Sequence, residues 1–346
     1  MEVVDKAKLP YVYTVDELIS MFLAAYGREE ARGSTAEPAF LKQKRLEIKR
    51  IVASGKALAS TLRKMALGMP FLDRLHPFYR DLVDVVFGAQ LYKHAVAKVG
   101  NAHLAVRAIA KEAITAVRTA PDKKALLRAR QMYKARIIDL LNDLGPELEK
   151  LRDVATFLRK LPSIDPNLFT IVVAGAPNVG KSSFVRCVST ARPEVAEYPF
   201  TTKQIHLGHI HLKGDKIQVI DTPGLLDRPL SQRNKIERQA VLALRHLAGV
   251  IIFIADPTPH SGYSLEMQAS LWREIKTEFT APAVAVLNKI DIATPQELER
   301  ARALFNPAAE ISTINCHGTK EVVDHVLHKY YVPQALEKLR ARARGA

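Results

Sequence analysis

The chain has 346 residues, 48% of them hydrophobic, which is enough for two domains that each bury a core. Lysine and arginine outnumber aspartate and glutamate by 51 to 36, a formal net charge of +15, and residues 1–160 hold 29 of the basic against 18 of the acidic side chains; an RNA-facing surface or merely a solvated helical face accounts for such a bias. Cys187 and Cys316 are too few for a disulfide framework or a zinc site, residues 1–6 lack a signal-peptide pattern, and the strongest apolar run, Ala248–Ala255, is too short to span a bilayer, so the expectation is a soluble protein in a reduced, cytoplasmic setting with no membrane partner.

Residues 14–160 repeat with a period of 3.6. Thr14 and Glu17 form a capping-box pattern ahead of Leu18, Ile19, Phe22 and Leu23, and Gly27 ends that helix. A second helix is predicted from Pro38 to Leu67, with Leu41, Ile48, Ile51 and Leu62 on its apolar face, and Pro70 closes the segment. Pro77 sits at the first turn of a long third helix whose inward stripe includes Leu82, Val85, Val86 and Ala89. Pro121-Asp122 separates it from a fourth, residues 123–144, and Gly145-Pro146 opens a last one reaching Leu161. Stripes of this kind are the core of a helical bundle. Lys42, Lys44, Arg45, Lys49 and Arg50 crowd the second helix and Arg128, Arg130, Lys134 and Arg136 the fourth; they are candidate phosphate contacts without base specificity.

Strands alternate with helices from Phe169 onward, the pattern of a doubly wound sheet. A short β-branched run, residues 169–174, leads into Gly175-Ala176-Pro177-Asn178-Val179-Gly180-Lys181-Ser182, followed by Ser183. This is the spacing G-x-x-x-x-G-K-[ST], in which backbone N–H groups curl around phosphate oxygens, lysine adds a point charge and serine a Mg²⁺ ligand. Tyr198-Pro199-Phe200-Thr201-Thr202 follows in a stretch without helical period; a hydroxyl there either reaches Mg²⁺ only while a γ-phosphate is present, which makes the loop a switch, or hydrogen-bonds locally. His206, His209 and His211 lie on a predicted strand whose alternation leaves only the last two on one face, too few for a metal site. Gln218-Val219-Ile220-Asp221-Thr222-Pro223-Gly224 ends a strand in D-x-x-G, where the aspartate holds Mg²⁺ through water and the glycine N–H faces the γ-phosphate. Another buried-type strand runs into Asn288-Lys289-Ile290-Asp291. The carboxylate of Asp291 accepts from adjacent N–H donors, which guanine presents and adenine does not, so GTP and GDP are the expected nucleotides. Ser312-Thr313, at the end of one more short strand, can offer backbone N–H to the guanine carbonyl.

Beyond these motifs, Leu161-Pro162-Ser163-Ile164-Asp165-Pro166, Tyr198-Pro199-Phe200-Thr201-Thr202-Lys203, residues 221–230 and residues 75–95 resemble the Obg-related GTPases, and among them the nucleolar GTP-binding protein 1 (Nog) family. That resemblance implies a GTPase of large-ribosomal-subunit assembly whose basic helical domain contacts rRNA or the pre-ribosome. By position it puts Ser182 and Thr202 on Mg²⁺, Lys181 on the β and γ phosphates, and Asn288, Lys289, Asp291, Ser312 and Thr313 around the base, with Lys181, Thr202 and Gly224 serving catalysis. It also implies a short, archaeal-type member, without the long C-terminal extension of relatives from nucleated cells. Leu225 stands where the Ras type has a water-orienting glutamine, so intrinsic hydrolysis is expected to be slow. Asn178 resembles the asparagine that coordinates K⁺ in K⁺-stimulated GTPases; a residue that merely tolerates the turn is the other reading.

The expected organisation is therefore an all-α bundle over residues 1–160, a linker at 161–168, an α/β P-loop GTPase domain over 169–332 with a mainly parallel sheet, and a basic tail at 333–346. The expected function is a GTP-driven switch, monomeric off the ribosome. An RNA-binding scaffold with a structural, rarely hydrolysed nucleotide is the alternative.

Overall fold

The computed structural model describes residues 2–28, 38–197, 204–212, 214–221, 226–227, 238 and 241–344. The chain divides into two compact units. One contains residues 4–75 and 87–159, and the other residues 1–3, 76–86 and 160–346.

The first unit is all helical. It comprises α1 (Val15–Gly27), α2 (Ala39–Gly68), α4 (Ala89–Thr119), α5 (Lys123–Asp143) and most of α6 (Gly145–Lys160). The capping box at Thr14 forms as the sequence suggests, with Glu17 N–H on the threonine hydroxyl and the Glu17 carboxylate on Thr14 N–H. Asp122 caps α5 by accepting from Ala125 N–H at 2.7 Å. The core is aromatic at its centre: Phe22 meets Tyr133 edge-on with centroids 5.6 Å apart, and the Tyr133 hydroxyl donates to Ile51 O at 3.2 Å. α2 and α4 approach closely because small residues face each other; a Cβ on Gly55 would lie 3.3 Å from Ala110 Cβ, and one on Gly100 3.3 Å from Ala66 Cβ.

The predicted third helix is two helices. Gly88 adopts φ +74°, a left-handed conformation that breaks the run between α3 (Pro77–Phe87) and α4. That break assigns α3 to the second unit, whereas the sequence pattern placed it in the bundle. Its Tyr79 hydroxyl donates to Ile164 O at 2.7 Å, and Asp81 accepts from His246 Nε2 at 2.7 Å. The stretch 161–168, expected as a linker, is packed: Leu161 and Ile164 are buried, and Asp165 N–H donates to Gln218 Oε1.

The second unit is built on a seven-stranded sheet in the order β2-β3-β4-β1-β5-β6-β7. The strands are β1 (Thr170–Ala174), β2 (Glu194–Glu197), β3 (Gln204–Leu212), β4 (Asp215–Asp221), β5 (Ala248–Ala255), β6 (Ala283–Leu287) and β7 (Ala309–Glu310). β4, β1, β5, β6 and β7 run parallel, and β2 and β3 add an antiparallel edge. Parallel strands covered on both faces must be apolar throughout, and β1 and the end of β5 are fully buried. The covering helices are α7 (Lys181–Val188), α8 (Leu265–Glu278), α9 (Pro295–Phe305) and α10 (Thr319–Val326). α11 (Val332–Arg344) follows a π-helical turn, so the basic C-terminal segment expected as a tail is helical to Arg344. No helix among the described residues is long and apolar enough to cross a membrane.

Candidate nucleotide site

The carboxyl ends of β1, β4 and β6 carry the three motif segments, which is where a parallel sheet opens a crevice for ligands. After β1 the chain turns through Gly175 (φ +138°), Asn178 (φ +63°) and Gly180 (φ +101°) before α7 begins at Lys181. A Cβ on Gly175 would fall 2.2 Å from Ile254 O, and one on Gly180 2.2 Å from Asn288 Nδ2. Both glycines are therefore required by space as well as by φ. Asparagine is among the few other residues that accept the left-handed conformation Asn178 adopts.

Ala176 and Val179 are buried and anchor the loop from below, while Pro177 is partly covered and Asn178 exposed. Lys181 is buried, and its ammonium donates to Gly175 O and Ala176 O, each at 2.8 Å. Burial holds that ammonium below the ordinary lysine range, and Asp221 and Asp227 draw it back up. An ammonium tied across its own loop this way stiffens the cradle. Ser183 accepts from Arg186 at 3.2 Å, one turn into the helix.

The Ser182 hydroxyl donates to Asp221 Oδ2. The same oxygen accepts from His206 Nδ1 at 2.9 Å, since the antiparallel register sets His206 directly opposite Asp221. Asp221 is fully buried and its other oxygen, Oδ1, has no hydrogen-bond partner among the described residues. A buried carboxylate oxygen left over beside a serine hydroxyl is a hard-oxygen donor set, which suits Mg²⁺. The residues present thus fit the metal that the motif implies. Phe200, Thr201, Thr202, Thr222, Pro223, Gly224 and Leu225 lie outside the described residues.

Asn288, fully buried after β6, braces neighbouring segments. Its Nδ2 donates to Val179 O at 2.8 Å and to Thr313 Oγ1 at 3.0 Å, and its Oδ1 accepts from Thr313 N–H at 3.0 Å. One side chain thereby ties the phosphate loop to the Ser312-Thr313 segment. Lys289 takes φ +63° and its ammonium pairs with Asp256 Oδ2 at 2.6 Å. Asp256 is buried at the end of β5 and accepts from Thr258 N–H and Oγ1. Asp291 is exposed, Ser312 is buried, and Ser312 N–H donates to His317 O at 3.1 Å.

Three features escaped sequence reasoning. His206 was visible only as one of three strand histidines, because its pairing with Asp221 depends on register. Asp256 could have been suspected as an acidic residue closing the apolar run of β5. Most directly, the two cysteines are joined: Cys187 on α7 and Cys316 form a disulfide across 129 residues, with Cα atoms 5.5 Å apart. The expected pair of free thiols is corrected, since the fold brings the end of α7 against the loop after Thr313. The Cys187 sulfur also lies 3.5 Å from Thr313 O.

A glycine-bounded phosphate loop, a buried aspartate beside its serine and an N-K-x-D segment braced to that loop define the P-loop GTPase class. Residues 7–165 match the family described as NOG1 N-terminal helical domain, and residues 235–291 match Nucleolar GTP-binding protein 1 (NOG1). A nucleolar GTP-binding protein 1 of Saccharomyces cerevisiae is 33% identical over 310 residues, 86% of this chain and 47% of that one. An uncharacterized protein of Methanocaldococcus jannaschii is 35% identical over 301 residues, 84% of this chain and 82% of that one. A crystal structure of a nucleolar GTP-binding protein 1 from Plasmodium falciparum is 36% identical, with a TM-score of 0.44, over 53% of this chain and 97% of that one. The chain belongs to the nucleolar GTP-binding protein 1 family. It spans about half the length of the first curated relatives it matches.

Proposed function

We propose that this chain binds GTP and GDP with Mg²⁺, hydrolyses GTP slowly, and uses the difference between the two states as a switch in assembly of the large ribosomal subunit. The observation that carries the nucleotide half is the Asn288 brace, which couples the phosphate loop at Val179 to the base-side residue Thr313. Ser182, Asp221 and Thr202 would hold Mg²⁺, which supplies neutralising charge at the β and γ oxygens. Lys181 adds a second positive charge there, and the backbone N–H groups of residues 176–182 orient the phosphates. Asp291 selects guanine through two N–H donors, with Ser312 and Thr313 on the carbonyl side. Leu225 cannot orient a water molecule, so hydrolysis is slow unless another group completes the site; a K⁺ ion held at Asn178 is our candidate. Equal turnover in KCl and NaCl at unchanged nucleotide affinity rejects that part.

The ribosomal half rests on the names of the relatives and on the basic charge of residues 1–160. Lys42, Lys44, Arg45, Lys49 and Arg50 of α2 and Arg128, Arg130, Lys134 and Arg136 of α5 are the proposed phosphate contacts with rRNA, in the compartment where subunits assemble. Calorimetric titration tests the first half: GDP should bind on the order of 10⁴-fold more tightly than ADP, and Lys181→Ala should abolish the difference by abolishing binding. Comparable GDP and ADP affinities contradict it. Sedimentation of the chain with large-subunit precursors tests the second half, with GTP-dependent association expected for the parent and lost for Lys181→Ala. Association indifferent to nucleotide would identify a scaffold.

A further inference from the structure

The helical unit contains a groove that neither nucleotide binding nor the proposed rRNA contacts use. It runs between α2 and α4 with a volume of about 770 Å³. Small residues, Gly55, Ala59 and Ala110, line it where the two helices pack closely. Its walls include Val52, Leu67 and Ile114, and Val52 and Leu67 are 49% and 59% exposed. From Val52 to Leu67 the groove follows α2 for about four turns, or roughly 22 Å.

Its rim is uniformly basic. Lys56, Arg63 and Lys64 line it from α2, and Arg107, Lys111 and Arg118 from α4, with no carboxylate among the lining residues. None of these six side chains is in an ion pair among the described residues. Two occupants fit such a rim, a nucleic-acid backbone and an acidic protein segment, and the interior distinguishes them. A phosphate backbone gains nothing from Val52, Leu67 and Ile114. Sequence-independent binding of single strands also wants aromatic platforms, and no aromatic residue among the described residues lines the groove. A helix with one apolar stripe buries that stripe in the groove, and carboxylates on its flanks meet both rows of cations.

We propose that the α2–α4 groove docks an acidic amphipathic helix of a protein partner, about four turns long. The small lining residues let the incoming helix sit low between α2 and α4, and the basic rim selects acidic over basic helices. None of the residues proposed to meet rRNA lines the groove, although Lys44 donates to Arg118 O at its end, so one helical unit can hold RNA and protein side by side.

The test uses the full chain and three fluorescein-labelled probes. The first is a synthetic peptide of about 18 residues with leucine at helical i, i+3, i+4 and i+7 positions and glutamate elsewhere. The second replaces every glutamate by lysine, and the third is a blunt RNA duplex. Anisotropy should show saturable binding of the acidic peptide, no binding of the lysine peptide, and no displacement of the acidic peptide by the duplex. Leu67→Glu and Ile114→Glu should each weaken the acidic peptide by about tenfold or more, and the paired reversal Lys64→Glu with Arg107→Glu should do the same. Leu67, Lys64 and Arg107 are exposed and Ile114 is half-buried, and unchanged helical circular dichroism confirms that the variants fold. Equal binding of the acidic and lysine peptides, insensitivity to these substitutions, or displacement by the duplex overturns the proposal.

Discussion

Breaking the Cys187–Cys316 disulfide should destabilise the nucleotide-binding unit without abolishing guanine binding. The bridge closes a loop of 129 residues that includes all of β2 to β7. In the chain-entropy account, cross-linking a loop of that length removes about 5 kcal/mol of freedom from the unfolded chain. Engineered and natural bridges commonly deliver less, so this is an upper figure. For a unit of roughly 200 residues, each kcal/mol moves the midpoint by about 2–4 °C, and the expected loss is therefore roughly 10–20 °C at most. The assay is thermal unfolding by calorimetry in the presence and absence of dithiothreitol, with the affected transition identified as the one that GDP raises. Cys187→Ser and Cys316→Ser should each equal the double variant, because either change removes the same cross-link. Guanine binding should survive, since Asn288 holds Thr313 by hydrogen bonds independent of the sulfur bridge. Identical midpoints for oxidised and reduced protein refute the reasoning. So does a pair of single variants whose losses add.

Gly180→Ala should abolish GDP binding, because its Cβ would meet Asn288 Nδ2 at 2.2 Å in a backbone with φ +101°; calorimetric titration showing parental affinity would mean that Asn288 is not fixed as argued. Asp291→Asn should move preference from guanine to xanthine nucleotides, since xanthine presents a carbonyl where guanine presents an amino group; competition binding reads the exchange. Burial raises the Glu47 carboxyl above its ordinary value of 4.5, against the pull of Arg130, Arg50 and Lys134, and Oε1 has no hydrogen-bond partner among the described residues. The folded state then holds that proton at a pH where the unfolded chain has released it, so stability falls as pH rises from the unfolded value through the folded one. Glu47→Gln removes this loss. Its melting midpoint should match the parent at about pH 4 and exceed it near pH 7, and the opposite order would show that the three cations outweigh burial.

Legibility from sequence followed the range of the interactions involved. The phosphate loop was readable because its backbone requirements are local: Gly175 and Gly180 hold positive φ, and Lys181 bonds carbonyls five and six residues earlier. Helix limits were readable for the same reason, through Thr14, Asp122 and the Pro77 start. Even there a single dihedral intervened. Gly88 looks like any glycine in an apolar stripe, and only its left-handed φ divides one predicted helix and sends α3 to the other unit. What was not readable depends on register and long-range closure. His206 meets Asp221 because β3 pairs antiparallel with β4 in one particular register; a shift of one residue would turn the imidazole to the opposite face. The Asn288 brace and the disulfide span 109 and 129 residues respectively. The motif N-K-x-D suggested that all its polar side chains address the base. In the structure Asn288 and Lys289 also bond other protein segments and Asp291 is exposed, contacts that the motif alone does not specify. On the proposed reading, guanine selection depends on a scaffold assembled from β1, β5 and β6, so Asp256→Ala, which removes the partner of Lys289, should weaken GDP binding although Asp256 lies outside the motif; unchanged affinity in calorimetric titration refutes it.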